Sequence, residues 1–278
     1  MKISYAENGW TTIIDEDINT LSKDDLFEMT ELLVNNTVVV FKKQKLTAEK
    51  ELEICQVIGD CNIEAYDSAD TLKNITVIPG IMRVTGAKNK EGHPGLFGHV
   101  HDLDWHANKP SDPNRRPLVW LYGVHGTLGS KTSWLNCINA YNDLDEDFKQ
   151  EIKDIQVYCG FKPGSFSDSP IMKPHINRDN PVNLVHTNVA GKTGLFFPFH
   201  QILEFAGDAN AKFDDVMQRL KEHVLQEKYM YHHYWDDGDI VIAEQWLGIH
   251  KRWRFEGMES RLLHRITFDY SNVYTDTK

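Results

Sequence analysis

Asp239-Ile-Val-Ile-Ala-Glu-Gln-Trp-Leu-Gly-Ile-His250 is the stretch of sequence that decides the fold of this chain. Residues 239–243 are mostly apolar and β-branched, which predicts a buried strand. A short connection leads to His250, and Arg261 follows eleven residues later. An arginine on a strand inside a β-rich core needs an anionic partner, because an unpaired buried charge costs several kcal/mol. The stretch therefore predicts a strand, a candidate metal ligand and a candidate carboxylate-binding residue in close succession.

Further apolar runs predict strands along the whole chain, at residues 37–41, 74–78, 81–85, 118–122, 194–197 and 261–268. Amphipathic patterns predict a helix over residues 21–36, with Ser22 as its N-cap, and another that begins at Thr47 and ends at Gly59. Two more helices are predicted at 143–153 and 211–227. Strands throughout, with helices grouped near the N-terminus and in two insertions, predict a mainly β fold with flanking helices. With no repeat or composition break, a single domain over residues 1–278 is expected.

Composition and charge exclude several classes of protein. The net charge of −11 leaves no basic stripe for nucleic acid, and it favours solubility, with attraction of cationic substrates as the alternative. The four cysteines form no CxxC pair, which argues against structural zinc and a disulfide scaffold. The start resembles no signal peptide, and no apolar run is long enough to span a membrane. A cytoplasmic protein that binds neither nucleic acid nor membrane is expected.

Asp104-Trp105-His106-Ala107-Asn108 is the second informative segment. His106 precedes the turn-rich residues 108–115, so it is predicted at the end of a strand that enters a loop. Two histidines on strands, with a carboxylate two residues after the first, are typical of non-haem Fe(II) oxygenases, which leave positions open for a 2-oxoacid and O2. Here the carboxylate position is Asn108. The pattern predicts iron on His106 and His250 and a cosubstrate carboxylate on Arg261.

A series of motifs in this order resembles the taurine dioxygenase-like (TauD/TfdA) family of Fe(II)/2-oxoglutarate-dependent dioxygenases, over nearly the full chain. The motifs are residues 38–47 with 75–78, 105–106, 117–122 with 129–132 and 138–141, 185–195, and 239–250 with 261–265. The resemblance implies a double-stranded β-helix (jelly roll, clavaminate synthase-like) fold. It also implies an enzyme that decarboxylates 2-oxoglutarate with Fe(II) and O2 and hydroxylates a C–H bond of a small-molecule substrate.

The resemblance implies a role for each matching residue. His106 and His250 would ligate iron, with Asn108 in the position of the third ligand. Thr132 and Arg261 would hold the distal carboxylate of 2-oxoglutarate, a hydroxyl and a guanidinium acting on one anion. His106, His250 and Arg261 would thus form the catalytic core.

Three more positions carry implied roles. Arg265 would lie near the keto-acid end of the cosubstrate or near an anionic group of the substrate. Glu244 and Gln245 occupy the family's Asp-Asn positions before the distal histidine, where they would help to orient the metal ligands through hydrogen bonds. Family members are often dimers or tetramers, so a homo-oligomer is possible. The primary substrate is not readable from the sequence.

Asn108 leaves three hypotheses open for the metal site. In the first, Asn108 ligates through its side-chain oxygen and the enzyme still hydroxylates. In the second, the position is effectively vacated and takes chloride, as in halogenases of the family, which usually carry Gly or Ala there. In the third, a different register completes the site with Asp102 or Asp104 and with His99 or His101.

Two broader alternatives also remain open. The chain could be a non-catalytic jelly-roll binding protein that keeps the cosubstrate pocket without the iron. It could also be a cupin-like metal enzyme that works without 2-oxoglutarate, which would have no need for Arg261 and Thr132. Desaturation is a further possible outcome of the oxygenase reaction.

Overall fold

A computed structural model describes residues 1–61, 77–88, 101–162 and 175–275, and within these residues the protein is mainly β. The strands are β1 (Ile3–Tyr5), β2 (Thr12–Ile14), β3 (Val38–Phe41), β4 (Met82–Thr85), β5 (Leu103–His106), β6 (Leu118–His125), β7 (Lys131–Asn136), β8 (Gln156–Phe161), β9 (His175–Ile176), β10 (Val182–Asn183), β11 (Val185–Thr187), β12 (Thr193–Leu195), β13 (Ile202–Phe205), β14 (Met230–Tyr234), β15 (Ile240–Glu244), β16 (Gly248–Arg252) and β17 (Leu262–Phe268). The α-helices are α1 (Lys23–Asn36), α2 (Ala48–Ile58), α3 (Cys137–Asn142), α4 (Glu146–Ile152) and α5 (Phe213–Val224). The prediction of a mainly β protein with flanking helices is confirmed.

Two large sheets form the centre of the molecule. One has seven strands in the order β1-β2-β3-β15-β6-β17-β4, and the other has four in the order β14-β7-β16-β5. Neighbouring strands in both are antiparallel, except for the parallel pair β2 and β3. Val40, Leu121 and Leu263 of the first sheet share a buried cluster with Trp134 of the second, so these sheets face each other.

Helices cover the outer faces of both sheets. Alternate side chains of β3 point to opposite faces, so Val38 and Val40 face the second sheet while Val39 and Phe41 pack with α1 and α2. On the far side, Leu135 and Ile249 of the four-stranded sheet share a cluster with residues of α3 and α5. Inward-pointing side chains of β5, β7, β16 and β17 therefore meet between the two sheets.

The two N-terminal helices begin where the sequence predicts. The Ser22 hydroxyl accepts a hydrogen bond from the Asp25 N–H, and the Asp25 carboxylate accepts one from the Ser22 N–H, which closes a capping box on α1. The Thr47 hydroxyl caps α2 in the same way through the Lys50 N–H, and α2 ends at Gly59. Both predicted helices are confirmed.

The structure differs from the prediction at three places. Of the strand predicted at 74–78, residues 74–76 lie outside the described part, and Val77 and Ile78 belong to a turn around Pro79-Gly80, where the Val77 N–H bonds the Ile81 carbonyl. The helix predicted at 143–153 is shorter, because Asp145 caps its start, and α3 precedes it. The one predicted at 211–227 ends at Val224 and is flanked by 3-10 turns, Gly207–Lys212 and Glu227–Tyr229. No helix in the described residues is long and apolar enough to cross a membrane.

Candidate active site

His106 and His250 lie directly opposite each other between the two sheets. Strand β5 ends at His106, and the antiparallel pairing of β5 with β16 places His250 as its partner. The two imidazole ring centroids are 4.1 Å apart, and both side chains are buried. Trp134 on β7 flanks His250 with its ring stacked at a centroid distance of 6.4 Å. Two histidines from distant parts of the sequence are thus brought together as predicted.

Burial keeps both imidazoles neutral. The pKa of His106 is lowered to about 3, mainly by desolvation. The bond to the Asp104 carbonyl opposes this shift, and the nearby Arg252 and Arg265 contribute to it. Desolvation and the neighbouring His106 also hold the pKa of His250 well below its usual value. The Nδ1 of His106 is 2.7 Å from the Asp104 carbonyl oxygen, which can only accept, so Nδ1 carries the proton. The Nε2 lone pair therefore remains for a metal ion.

Asn108, predicted as the third residue of the metal site, is held by hydrogen bonds to two side chains. Its Nδ2 donates to Gln245 Oε1 at 2.5 Å, and its backbone N–H donates to the same oxygen at 3.0 Å. Its Oδ1 accepts from Arg265 Nη1 at 2.6 Å. An amide oxygen has two lone pairs, so one stays available after the bond to Arg265. The structure thus places a fixed amide, and not a vacancy, beside the two histidines.

The acidic residues just before His106 point elsewhere. Asp102 and Asp104 form ion pairs with Lys251 at 3.4 and 3.3 Å, and both side chains are about 40% exposed. Lys251 follows His250 directly, so it points to the opposite face of β16. His101 contributes its backbone carbonyl to Arg252, and His99 lies outside the described residues.

Across residues 1–61, 77–88, 101–162 and 175–275, no three His, Cys, Asp or Glu side chains converge on a possible metal site. The shifted-register hypothesis therefore gains no support from the described geometry. The donors that the structure does bring together are two neutral imidazoles and an amide oxygen. This set fits a divalent iron ion, although it lacks the anionic ligand that such sites normally carry.

Arg261 lies buried directly before β17, with only 1% of its surface exposed. Its guanidinium carbon stacks over the Phe255 ring at 3.9 Å, and Nη1 donates to Ser130 Oγ at 3.2 Å. Its Nε has no hydrogen-bond partner among the described residues. Burial, with a contribution from Arg252, lowers the pKa of Arg261 to about 9, so the group stays protonated at neutral pH. A buried cation with an unused donor fits a carboxylate ligand.

Thr132 is buried on β7, two residues after Ser130, which contacts Arg261. Its Oγ1 accepts a hydrogen bond from Trp235 Nε1 at 3.0 Å, which leaves the hydroxyl proton free to be donated to another acceptor. Thr132 pairs across the strands with Arg252 of β16. Thr132 thus lies on β7, next to the strand β16 that carries His250, whereas Arg261 directly precedes β17 of the facing sheet.

Glu244 is the last residue of β15, and Gln245 begins the turn that leads to β16. The Glu244 carboxylate accepts the backbone N–H groups of Trp246 and Leu247, each at 2.8 Å. Burial raises the pKa of Glu244 to about 7, although these two bonds oppose the rise. The side-chain oxygen of Gln245 accepts hydrogen bonds from the backbone N–H and from the side-chain amide of Asn108. The turn therefore fixes the amide next to the histidines, in keeping with the predicted supporting role.

Three residues of the site were not predicted from the sequence: Arg252, Ser130 and Phe255. Arg252 has a signal, because it follows His250 by two residues and so shares its face of β16. Ser130 lies within the Gly129-Ser-Lys-Thr132 motif, but nothing local indicates that its hydroxyl meets Arg261. Phe255 has no sequence signal of this kind.

Comparison with known proteins places the chain in a family. Residues 5–267 match the model of the taurine catabolism dioxygenase TauD, TfdA family. The chain belongs to this family. It is 28% identical over 258 residues to the alpha-ketoglutarate-dependent 2,4-dichlorophenoxyacetate dioxygenase of Burkholderia sp. (strain RASC), covering 89% of this chain and 86% of the relative. It is 23% identical over 240 residues to the (S)-phenoxypropionate/alpha-ketoglutarate-dioxygenase of Sphingobium herbicidovorans, covering 81% and 79%.

Solved structures show the same fold. The crystal structure of AAD-2 in complex with Mn(II) and N-oxalylglycine matches with a TM-score of 0.79 at 20% identity, covering 96% of each chain. A taurine dioxygenase from Burkholderia xenovorans matches with a TM-score of 0.75 at 17% identity, covering 96% of this chain and 88% of that one. The TauD, TfdA family member described here is therefore an enzyme of the 2-oxoglutarate-dependent dioxygenase type, with Fe(II) and 2-oxoglutarate as its cofactors.

Proposed function

We propose that this TauD, TfdA family member couples the oxidative decarboxylation of 2-oxoglutarate to hydroxylation of a C–H bond in a small-molecule substrate. The observation that carries the proposal is the direct pairing of His106 with His250 between the sheets, with buried Arg261 directly before β17 of the facing sheet. We further propose a double-stranded β-helix that forms one oxygenase domain over residues 1–278. The two facing antiparallel sheets support this architecture.

Each residue has a distinct part in the proposed reaction. Fe(II), when bound with 2-oxoglutarate and O2, supplies the oxidising chemistry, in which succinate, CO2 and a hydroxylated product are formed. His106 and His250 would hold the metal through neutral nitrogen donors, and Asn108 would offer its amide oxygen. Arg261 and Thr132 would orient the cosubstrate by its distal carboxylate. The buried setting excludes water from these groups, which strengthens each electrostatic contact.

Hydroxylation is proposed over halogenation because of what Asn108 does. Chloride would need the coordination position that we assign to the Asn108 amide, whose side chain is held by Gln245 and Arg265. A small Gly or Ala would leave that space open, whereas a side chain with two hydrogen bonds does not. The geometry therefore favours an amide ligand, the first of the three hypotheses for this position.

A small organic anion is the substrate class that the site favours. Arg252, Arg261 and Arg265 are all buried near the histidines, although the chain as a whole carries a net charge of −11. A guanidinium group binds a carboxylate through its planar fork, so an acidic group on the substrate would suit this part of the site, as the carboxylates of 2-oxoglutarate do. Two relatives are named for phenoxyacetate and phenoxypropionate compounds, which are also carboxylates.

An anaerobic titration tests the proposed function. Fe(II) and 2-oxoglutarate are added to the metal-free protein, and a visible metal-to-ligand charge-transfer band is expected. Succinate formation is then followed in air with a panel of matched anionic and neutral substrates. A folded protein that develops no band and forms no succinate with any of them would overturn the proposal. Cytoplasmic location and homo-oligomerisation remain predictions.

A further inference from the structure

Arg252 shares the inward face of β16 with His250. The two residues are separated by one position, so their side chains leave the strand on the same side. Arg252 is also buried, with 5% of its surface exposed. A third arginine therefore lies within electrostatic reach of the candidate metal site, in addition to Arg261 and Arg265.

Arg252 also lies next to the residues predicted to hold the distal carboxylate. Its backbone pairs with Thr132 of β7, so their side chains are cross-strand neighbours on one face. The guanidinium carbons of Arg252 and Arg261 approach the same Phe255 ring, at 5.0 and 3.9 Å from its centroid. Strands β7 and β16, the start of the chain segment that leads into β17, and the Phe255 ring thus bring two guanidinium groups and a hydroxyl together.

Two like charges in a buried space repel each other unless an anion lies between them. The repulsion is visible in the lowered pKa of Arg261, to which Arg252 contributes after burial. Asp102 is one carboxylate that acts on Arg252, and its side chain is 40% exposed and ion-paired with Lys251. A carboxylate placed between Arg252 and Arg261 would offset the repulsion at both groups.

We propose that Arg252 is a second arginine for the distal carboxylate of the 2-oxoacid, so that Arg252, Arg261 and Thr132 together form a two-arginine clamp. This assignment rests on the proposed function, because it needs a 2-oxoacid between the histidines and Arg261. It gives the pocket a stronger preference for 2-oxoacids with two carboxylates than one arginine and a hydroxyl provide. It also makes Arg252 a specificity-determining residue of the cosubstrate pocket.

Calorimetric titration under anaerobic conditions tests the clamp with two probes of equal chain length. 2-Oxoglutarate carries the distal carboxylate, and 2-oxovalerate lacks it. In the Fe(II)-loaded protein, Arg252→Met is expected to weaken 2-oxoglutarate binding by roughly tenfold or more and to change 2-oxovalerate binding by less than about twofold. Arg252→Lys, which keeps the charge without the planar fork, is expected to fall in between.

Arg254→Met is the matched control, because it removes the same charge two positions along the chain from an exposed side chain paired with Glu256. It should leave the affinity for both probes unchanged. Arg252 also donates to the His101 carbonyl, so a purely structural role predicts that Arg252→Met weakens both probes equally. That result, or an unchanged affinity for 2-oxoglutarate, would overturn the clamp. Wild-type protein that binds neither probe would instead overturn the proposed function.

Discussion

The metal half and the carboxylate half of the candidate site differ in how they carry charge. His106, His250 and Asn108 offer only neutral donors, whereas the other half contains the buried cations Arg252 and Arg261. Neutral donors leave the charge of a divalent ion uncompensated, and the arginines repel it. A dianionic 2-oxoacid offsets both. We therefore expect metal and cosubstrate to bind cooperatively, with each strengthening the other.

Removal of one imidazole is the largest expected effect and tests the metal half. His250→Ala should weaken Fe(II) binding by more than about 100-fold and abolish the charge-transfer band, because only one nitrogen donor remains. The measurement is the anaerobic titration with 2-oxoglutarate present. His232→Ala is the control, since His232 contacts Ser133 and Glu227. If His250→Ala keeps the wild-type band, His250 is not a ligand.

Truncation of Arg261 tests the carboxylate half. Arg261→Ala should weaken 2-oxoglutarate binding on the order of 100-fold, about 3 kcal/mol, because a buried charged donor is lost. Arg261→Lys keeps the charge without the planar fork and should recover part of the affinity. Calorimetry gives the affinities, and thermal unfolding shows whether each variant is folded. An unchanged reaction in folded Arg261→Ala would favour a metal enzyme that works without 2-oxoglutarate.

An acidic residue at position 108 would give the metal half an anionic ligand of its own. Asn108→Asp should tighten Fe(II) binding on the order of tenfold, because one carboxylate oxygen can bind the metal while the other keeps the bond to Arg265. The cooperativity between metal and 2-oxoglutarate should decrease, because the added carboxylate already offsets part of the charge of the metal ion.

Asn108→Ala distinguishes the effect of adding a negative charge at position 108 from the effect of removing the side chain. It removes the amide without adding a carboxylate, so it should weaken metal binding where Asn108→Asp strengthens it. Both titrations are made with and without chloride. Equal metal affinity in the wild type and Asn108→Asp would show that position 108 does not contact the metal. Metal binding by Asn108→Ala that becomes chloride-dependent would indicate that a vacated position can take an anion.

Periodicity and end signals made much of the fold predictable. Alternation in β3, with Val38 and Val40 facing one side and Val39 and Phe41 the other, follows from the pleat of a strand. The first helix could be placed because Ser22 and Asp25 satisfy its first N–H groups locally. The turn at Pro79-Gly80 was harder to predict, because Val77 and Ile78 are apolar like strand residues. Their place in the turn depends on the hydrogen bond from the Val77 N–H to the Ile81 carbonyl.

The candidate site was only partly predictable, for a physical reason. His106, His250 and Arg261 could be found from the sequence, because their order and spacing match a known motif. The bond from Arg265 to Asn108 and the bond from Arg261 to Ser130 join residues 157 and 131 positions apart. Such contacts depend on the pairing order of strands, which no local pattern fixes. Arg252 was accessible through its spacing from His250 alone.

Ser130 provides the smallest expected effect, within the carboxylate half. Its hydroxyl accepts from Arg261 Nη1 at 3.2 Å and donates to the Thr127 carbonyl at 2.8 Å, so it orients the guanidinium without carrying charge. Ser130→Ala should weaken 2-oxoglutarate binding by roughly two- to tenfold, the range of one neutral hydrogen bond. Ser133→Ala removes a buried hydroxyl that bonds Trp253 and His232 and should leave the affinity unchanged. A loss in Ser130→Ala as large as that in Arg261→Ala would mean that the hydroxyl contacts the carboxylate itself, and that the anion lies closer to β7 than the clamp requires.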